Sequence, residues 1–510
     1  MSHSWGTLAA ERTTFIMKEI PFDWRLSPND LSNARIQRSI TGPFICKYLD
    51  RFEREYLNHD TISILRRIWN GEWTAVQCVR ASCKISCIAH QINPCLLNIM
   101  IPEALEKARK LDESFKGGRG SVKGFLHGLP ISVKDQFHVK GSDTTMGYVG
   151  WIGTFEGDGD DTKVGAVESQ VISDLEGQGA VVFCKTSLPQ TVLYDETINN
   201  IIGQTLNPVN RLLSCGGSSG GEAALISTGG SSLGMGTDIA GSVRVPAAFC
   251  GIYGIKPSHN RFSYRGVANT NPGQTLIPSS VGFLSRSLEG LELVMSSLLS
   301  TSPWLRDPAV VPIPWREDDR LKARKKLKFG IFWWDGMIQP HPPVTRALEM
   351  VVNTLEYAGH EVVDWCPPSH SIPERLHASS YNERGWFSPY TAAVSIIGTA
   401  DSNGNMVDAV LMPAAPHAAV IPGKWVHLAY TEVLNLLDYT ALVIPVTHAD
   451  KHMDELHAYV PVSEKDSRNW TAYDAEIYHG APVGIQIVGR VCEEEKIIGV
   501  AEVVEGALGM

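Results

Sequence analysis

The chain has 510 residues, of which 43% are apolar and 20% charged, a composition typical of a globular protein with a large core. Its formal net charge of −10 offers no basic surface to a phosphate backbone, which disfavours nucleic acid and acidic membranes as partners. Residues 1–12 lack the pattern of a secretory signal, no apolar run approaches the length of a membrane span, and ten cysteines are too few for a disulfide scaffold, so we expect a reduced, cytoplasmic protein.

In chain order, the first hundred residues are predicted to be mainly helical, and residues 102–111 are rich in strong helix formers. Cys78, Cys83 and Cys87 could share a helix. We interpret them as buried free thiols, because no CxxC pair or matching histidine cluster accompanies them.

An alternation of strands and helices follows. Residues 129–133 and 180–184 are apolar runs typical of buried strands. Between them a helix is predicted that ends at Gly179, because four apolar side chains fall on one helical face: Val164, Val167, Val171 and Leu175.

The same alternation returns late in the chain, with strands predicted at 328–334, 360–365 and 408–412 and a helix at 344–357. This order favours an α/β fold in which a large sheet is covered by helices on both faces. Residues 301–326, rich in proline and ending in the basic run 320–326, are predicted to be a linker with a solvated face.

Residues 214–258 form the most informative block (SCGGSSGGEAALISTGGSSLGMGTDIAGSVRVPAAFCGIYGIKPS). Its glycines and serines would suit a flexible linker, but the apolar runs at 223–226 and 243–253 are too hydrophobic to be left in water. Residues 216–220 also fit the G-x-S-x-G elbow of α/β-hydrolases. A second match one residue later shows how permissive that pattern is, and no downstream histidine is marked as its base.

The block resembles the amidase signature family, in which GGSSGG is followed by a GTDxGGSxRxPA-like segment; these stand here at 216–221 and 236–247. The family's G-L-P-x-x-x-K-D element stands at 128–135. Residues 4–12 (SWGTLAAER) resemble the start of fungal acetamidases and general amidases. Further family-like segments lie at 186–190, 203–208 and 479–490.

The resemblance covers most of the chain and implies an α/β/α sandwich built on a large mixed sheet. It implies a single amidase domain over 1–510. Its expected parts are a mainly helical N-terminal part at 1–115, a catalytic core at 125–260, the linker at 301–326, and a C-terminal α/β part at 327–510 that completes the sheet.

The resemblance also implies three catalytic residues. The lysine of G-L-P-x-x-x-K-D falls on Lys134. The first serine of GGSSGG, which the family holds after a cis peptide bond, falls on Ser218, and the family's nucleophile falls on Ser242. Ser218 would relay the proton between Lys134 and Ser242, and then to the departing ammonia or amine.

Lys134 would have to be neutral to act as the base, because no histidine stands in these motifs. Free lysine has a pKa near 10.4, so burial must bring it about two to three pH units lower, at a cost of about 3–4 kcal/mol. Its place directly after the apolar run 129–133 is consistent with a buried strand end.

The predicted oxyanion donors are the backbone N–H groups of Ile239, Ala240, Gly241 and Ser242, with a helix permitted from Ser242 onward. Ala240 stands where the family commonly has glycine. The backbone N–H of Ala240 can serve as an oxyanion donor only if φ at this residue is negative.

Around these groups, Asp238 and Arg244 are predicted to pair and brace the loop, the alternative being an exposed salt bridge of little value. Thr237 and Ser219 are predicted to add hydrogen bonds to the relay. Asp135 could hold local backbone or begin a turn, and its role is left open.

One departure from the fungal relatives is a shorter connection between the strands predicted at 360–365 and 408–412. In the family this part helps wall the acyl-binding pocket, so the pocket here is expected to be wider, reshaped or less closed.

The implied activity is hydrolysis of a carboxamide, either a small aliphatic one such as acetamide or an aromatic one, to a carboxylate and ammonia or an amine. No cofactor and no metal are expected; the expected partner is a small-molecule amide, and a homodimer is left open. Two alternatives remain: a catalytically impaired scaffold protein, owing to the shortened segment, and the glutamine amidase subunit of a tRNA-dependent amidotransferase, which would need a partner subunit.

Overall fold

The computed structural model describes residues 4–115, 121–159, 161–274, 277–323, 325–366 and 406–510. The strands in these ranges are β1 (Leu96–Ile99), β2 (Pro130–Lys134), β3 (Val181–Thr186), β4 (Ile198–Asn199), β5 (Gly203–Gln204), β6 (Leu233–Asp238), β7 (Tyr253–Lys256), β8 (Ser280–Ser285), β9 (Lys328–Ile331), β10 (Glu361–Asp364), β11 (Ala409–Pro413), β12 (Ala441–His448) and β13 (Pro482–Val488).

The α-helices of the same ranges are α1 (Trp5–Glu19), α2 (Pro28–Arg35), α3 (Arg51–Leu57), α4 (Thr61–Trp69), α5 (Ala75–Ile92), α6 (Ile101–Phe115), α7 (Gln170–Gly177), α8 (Gly220–Thr228), α9 (Arg244–Cys250), α10 (Leu288–Ser300), α11 (Glu317–Lys322), α12 (Pro342–Tyr357), α13 (Ala429–Leu436), α14 (Glu464–Thr471), α15 (Ala475–Tyr478) and α16 (Glu494–Leu508). No helix among the described residues is both long and apolar enough to cross a membrane.

Eleven of the described strands form one mixed sheet in the order β1-β3-β2-β6-β8-β7-β12-β13-β11-β9-β10. β2 runs parallel to β3 and β6, and β9 runs parallel to β10 and β11. Every residue of β2, β3, β6, β7, β8 and β13 is buried. Because side chains alternate along a strand, this burial requires cover on both faces of the sheet. The predicted α/β fold with a large mixed sheet is confirmed.

Most of the predicted elements coincide with observed ones. The helices predicted at 102–111 and 344–357 lie within α6 and α12. The five predicted strands correspond to β2, β3, β9, β10 and β11. Cys78, Cys83 and Cys87 are buried free thiols on α5, as predicted.

The helix predicted across 164–175 is wrong in its first half, because α7 begins only at Gln170. Tertiary hydrogen bonds hold the chain before it. The hydroxyl of Ser169 accepts from the backbone N–H of His138 at 2.9 Å and donates to the carbonyl of Gly266 at 2.5 Å. Val164 and Val167 therefore precede the helix, although their spacing suits it.

Residues 301–326 lie between α10 and β9 and contain α11. Arg320 of α11 forms ion pairs with Glu292 of α10, at 3.3 Å, and with Glu502 of α16. The segment thus contacts two other helices through partly buried ion pairs. The division of the chain into parts stays a prediction.

Candidate active site

Lys134 and Thr237 meet at one edge of the sheet. Lys134 is the last residue of β2 and Thr237 the penultimate residue of β6, and these two strands are parallel neighbours, with Val133 opposite Met235. Parallel strands end at the same edge, so their last side chains lie close together. Lys134 Nζ is 3.0 Å from Thr237 Oγ1 and 2.7 Å from the Oγ of Ser218, which lies just before α8.

The surroundings of Lys134 lower the pKa of its amine to near neutral pH. Its side chain has no exposed surface, and burial lowers the pKa of Lys134 to about 7, against the opposing effect of the Asp238 and Glu222 charges. Glu222, on α8, accepts hydrogen bonds from Ser132 and Thr186, and burial raises its own pKa to about 7. An unprotonated, buried amine beside a serine hydroxyl can act as a general base.

Ser242 is held beside these groups by its backbone. The Ser219 N–H donates to the Ser242 carbonyl at 2.9 Å, and the Ser219 hydroxyl donates to the Thr237 carbonyl at 3.3 Å. The Gly217–Ser218 peptide bond is cis. No hydrogen bond joins the Ser218 and Ser242 hydroxyls in the described part of the chain, although both side chains are buried.

The predicted oxyanion donors need one correction. The Gly241 N–H already donates to Asp238 Oδ1 at 2.8 Å, which leaves the N–H groups of Ile239, Ala240 and Ser242. Gly241 has φ of 128°, and a Cβ there would lie 2.4 Å from Thr431 Oγ1, so glycine is required.

Ala240 is not among the described residues with positive φ, so the condition for its backbone N–H to serve as an oxyanion donor is met. The helix permitted from Ser242 begins two residues later, as α9 at Arg244. The turn before it is occupied by the Asp238 carboxylate, which also accepts from the Val243 N–H at 3.0 Å.

Asp238 and Arg244 form a buried pair, as predicted, and both side chains have no exposed surface. Arg244 Nε and Nη2 donate to the two carboxylate oxygens at 3.1 and 2.9 Å. Burial alone would raise the pKa of Asp238, but the Arg244 charge and hydrogen bonds outweigh it and hold this pKa below its usual range. The alternative of an exposed salt bridge is excluded.

A family model described as Amidase matches residues 77–385 and 399–498, which is most of the chain. The chain belongs to the amidase signature family. The acetamidase of Aspergillus oryzae is 38% identical to it, over 100% of this chain and 99% of the relative, and that of Emericella nidulans is 36% identical with the same coverage. Among solved structures, fatty acid amide hydrolase superposes with a TM-score of 0.88 at 27% identity, covering 99% of this chain and 95% of that one.

The amidase is therefore a hydrolase of amide bonds, and the family, fold class and enzyme class predicted from the sequence are confirmed. The alignment with the A. oryzae acetamidase runs over 556 positions, 46 more than the 510 residues of the chain. The family match is interrupted between 385 and 399, inside the connection predicted to be short. Residues 367–405 of that connection lie outside the described residues.

Asp135, whose role the sequence left open, organises the loop after β2 of the amidase. Lys185 Nζ lies 2.7 Å from its Oδ1, and both side chains are buried. The other oxygen accepts from the Thr145 hydroxyl at 2.6 Å and from the N–H groups of Thr145 and Met146, both at 3.0 Å. Asp135 therefore holds local backbone.

Sequence reasoning missed the residues that surround the motifs. Arg244 donates also to Asn435 and to the Thr431 carbonyl, both on α13, and to Gln486 on β13 at 3.3 Å. Gln136 accepts a hydrogen bond from Thr237. Gln136 stands two residues after Lys134, and Gln486 lies in the family-like segment 479–490, but neither segment shows what these side chains contact. Thr431 and Asn435 stand near no recognisable motif.

A cavity of about 330 Å³ opens beside Ser242. Its walls are mostly apolar, with one carboxyl and the Ser242 side chain among them. The lining residues are Val192, Leu193, Tyr194, Asp195, Ile239, Ala240, Ser242 and Leu428.

Proposed function

We propose that the amidase hydrolyses small aliphatic or aromatic carboxamides through an acyl-enzyme on Ser242, with Lys134 as the base and Ser218 as the relay. The observation that carries this proposal is the buried Lys134 amine, whose pKa is lowered to about 7, at 2.7 Å from Ser218 Oγ. A lysine in this state at neutral pH is half unprotonated and can accept a proton.

In the acylation step, Ser242 Oγ forms a bond to the amide carbon while its proton passes to Ser218 and the Ser218 proton passes to Lys134. The oxyanion accepts from the N–H groups of Ile239, Ala240 and Ser242. The proton then returns from Lys134 through Ser218 to the amide nitrogen, and the C–N bond breaks to release ammonia or an amine. Water repeats the sequence on the acyl-enzyme and releases the carboxylate.

The cavity beside Ser242 supports a small acyl group. Its volume of about 330 Å³ is at the lower end of the range for ligand sites in proteins. Apolar side chains such as Val192, Ile239 and Leu428 line it, so it suits a short alkyl chain or one aromatic ring. The two fungal relatives are named acetamidases, which favours the aliphatic choice.

The test is labelling of the purified protein with a fluorophosphonate, followed by intact mass and peptide mapping. This probe needs an activated serine and little substrate recognition, so the substrate need not be known. We expect one adduct, on Ser242, and no adduct on the Ser242→Ala variant. In parallel, turnover of acetamide and benzamide should be abolished by Ser242→Ala, nearly abolished by Lys134→Ala, and lowered by several orders of magnitude by Ser218→Ala.

Full turnover in the Ser242→Ala protein would overturn the mechanism. A folded wild-type protein that takes no label and turns over neither amide would instead favour the impaired scaffold. Release of ammonia from glutamine only with a copurifying subunit would favour the amidotransferase.

A further inference from the structure

A chain of hydrogen bonds leads from Lys134 away from the serines and ends at a backbone carbonyl. Lys134 Nζ lies 3.0 Å from Thr237 Oγ1, and Thr237 Oγ1 lies 2.5 Å from Gln136 Oε1. Gln136 Nε2 then donates to the Ala268 carbonyl at 2.9 Å. Lys134, Gln136, Thr237 and Ala268 are all buried.

The last member of this chain determines the direction of every bond before it. A carbonyl only accepts, so the amide nitrogen of Gln136 must face Ala268 and the amide oxygen must face Thr237. The Ala268 N–H also donates to the Gln136 carbonyl at 2.9 Å, which fixes the backbone of Gln136 in place. The single hydroxyl proton of Thr237 is therefore donated to Gln136, and Thr237 can only accept from Lys134.

The direction of these hydrogen bonds decides which hydroxyl can donate to the lone pair of Lys134. Unprotonated Lys134 has two N–H donors and one lone pair. Because Thr237 can only accept, it takes one of the N–H groups. The lone pair is left for the Ser218 hydroxyl at 2.7 Å, which is the contact through which the base would act.

We infer that Gln136 is a positioning residue, which orients the Thr237 hydroxyl so that the lone pair of Lys134 is reserved for Ser218. The inference rests on the proposed function of Lys134 as the base. Without the Gln136 oxygen, the Thr237 hydroxyl is free to rotate and donate to Lys134. Thr237 would then compete with Ser218 for the same lone pair.

A double-mutant cycle on the full-length enzyme tests this competition. Gln136→Met keeps the side-chain length and removes the acceptor, and Thr237→Val removes the hydroxyl but keeps the shape. We expect each single change to lower kcat/KM, by about three- to tenfold for Gln136→Met, the equivalent of one hydrogen bond. In the Gln136→Met background, however, Thr237→Val removes the competing donor and should raise kcat/KM. If the losses in kcat/KM of the two single variants simply add in the double variant, the inference is overturned.

The pH profile supplies a readout that a merely structural role would not move. A Thr237 hydroxyl that donates to the neutral amine stabilises it, so Gln136→Met should move the acid limb of kcat/KM to lower pH. Gln136→Glu retains the acceptor and adds negative charge, so it should keep more activity than Gln136→Met and move the limb to higher pH. Asp238 on β6 and Glu222 on α8, the charged groups that act on Lys134, are unchanged in all variants.

The outcomes separate this inference from the mechanism beneath it. If the fluorophosphonate labels Ser242 and Lys134→Ala is inactive, but Gln136→Met and Gln136→Glu lose activity equally with an unmoved acid limb, only the role of Gln136 is refuted. If Ser242→Ala keeps turnover, the relay itself fails. Should Gln136→Met not fold, the upward shift in the Gln136→Glu variant decides: its absence refutes the inference.

Discussion

Replacing Lys134, the proposed base, with methionine should inactivate the amidase and yet stabilise it at neutral pH. Lys134 has no exposed surface, and its pKa falls from 10.5 in the unfolded chain to about 7 in the folded protein. Between these values the unfolded chain holds a proton that the folded protein lacks. The free energy of unfolding therefore rises with pH through this window, because folding no longer requires loss of that proton.

The magnitude follows from the two pKa values. Burial of Lys134 costs about 4 kcal/mol of folding free energy at pH 7 and about 1 kcal/mol at pH 10. Lys134→Met removes this cost and loses the hydrogen bonds to Ser218 and Thr237, about 1 kcal/mol each. The variant should thus be about 2 kcal/mol more stable than the wild type at pH 7 and about 1 kcal/mol less stable at pH 10.

Chemical denaturation of both proteins at pH 7 and pH 10, with amide turnover measured alongside, checks this expectation. Lys110→Met, at a side chain that is 70% exposed, reports the general effect of removing one lysine charge. If the stability difference between Lys134→Met and the wild type is the same at both pH values, the lysine is not neutral in the folded protein. An active Lys134→Met protein would refute its role as the base.

Three further predictions concern the same site. Only unprotonated Lys134 can act as the base, so kcat/KM should fall about tenfold per pH unit below pH 7, as a pH–rate profile would show. Arg244→Met leaves the Asp238 carboxylate buried and unpaired and should cost about 3–5 kcal/mol in thermal or chemical unfolding, a loss that adding Asp238→Asn should reduce. Gly241→Ala should abolish turnover, because its Cβ would lie 2.4 Å from Thr431 Oγ1. Ala240→Gly should change kcat by less than about threefold. Equal effects of these two changes on turnover would contradict the geometry.

The core of the site could be predicted from the sequence because its residues stand in long motifs at strand ends. Lys134 and Thr237 meet since β2 and β6 are parallel neighbours, and the pairing of Asp238 with Arg244 needs only six residues of chain. The engagement of the Gly241 N–H could not be predicted. The Asp238 carboxylate accepts from the backbone N–H groups of Gly241, Val243 and Arg244, and the motif does not show which nearby donors it takes.

The remaining partners depend on contacts that no local pattern encodes. Asn435 and Gln486 reach Arg244 from elements 191 and 242 residues away in the chain. The late start of the helix predicted at 164–175 has the same origin, since Ser169 bonds to His138 and Gly266 in other parts of the fold. Periodicity describes the preference of a segment, and tertiary hydrogen bonds override it where they are stronger.

The connection after β10 is long enough for an intact sheet. β10 and β11 lie on either side of β9, with Val363 and Val410 both opposite Gly330, and both strands run parallel to it. A crossover between parallel strands needs a dozen or more residues. The 44 residues between Asp364 and Ala409 exceed that requirement, so the connection suffices to place β10 and β11 on either side of β9.

The hydrogen bonds that Arg244 donates to distant parts of the chain also bear on the order in which the site forms during synthesis. Arg244, two residues after Ser242, is synthesised before its partners Asn435 and Gln486, which follow it by 191 and 242 residues. Asp238, six residues before Arg244, is the partner already present at that stage. A nascent chain therefore carries the segment 236–247 before it carries the side chains of α13 and β13 that complete this hydrogen-bond network, so we expect the segment to reach its final geometry only when β13 has joined the sheet.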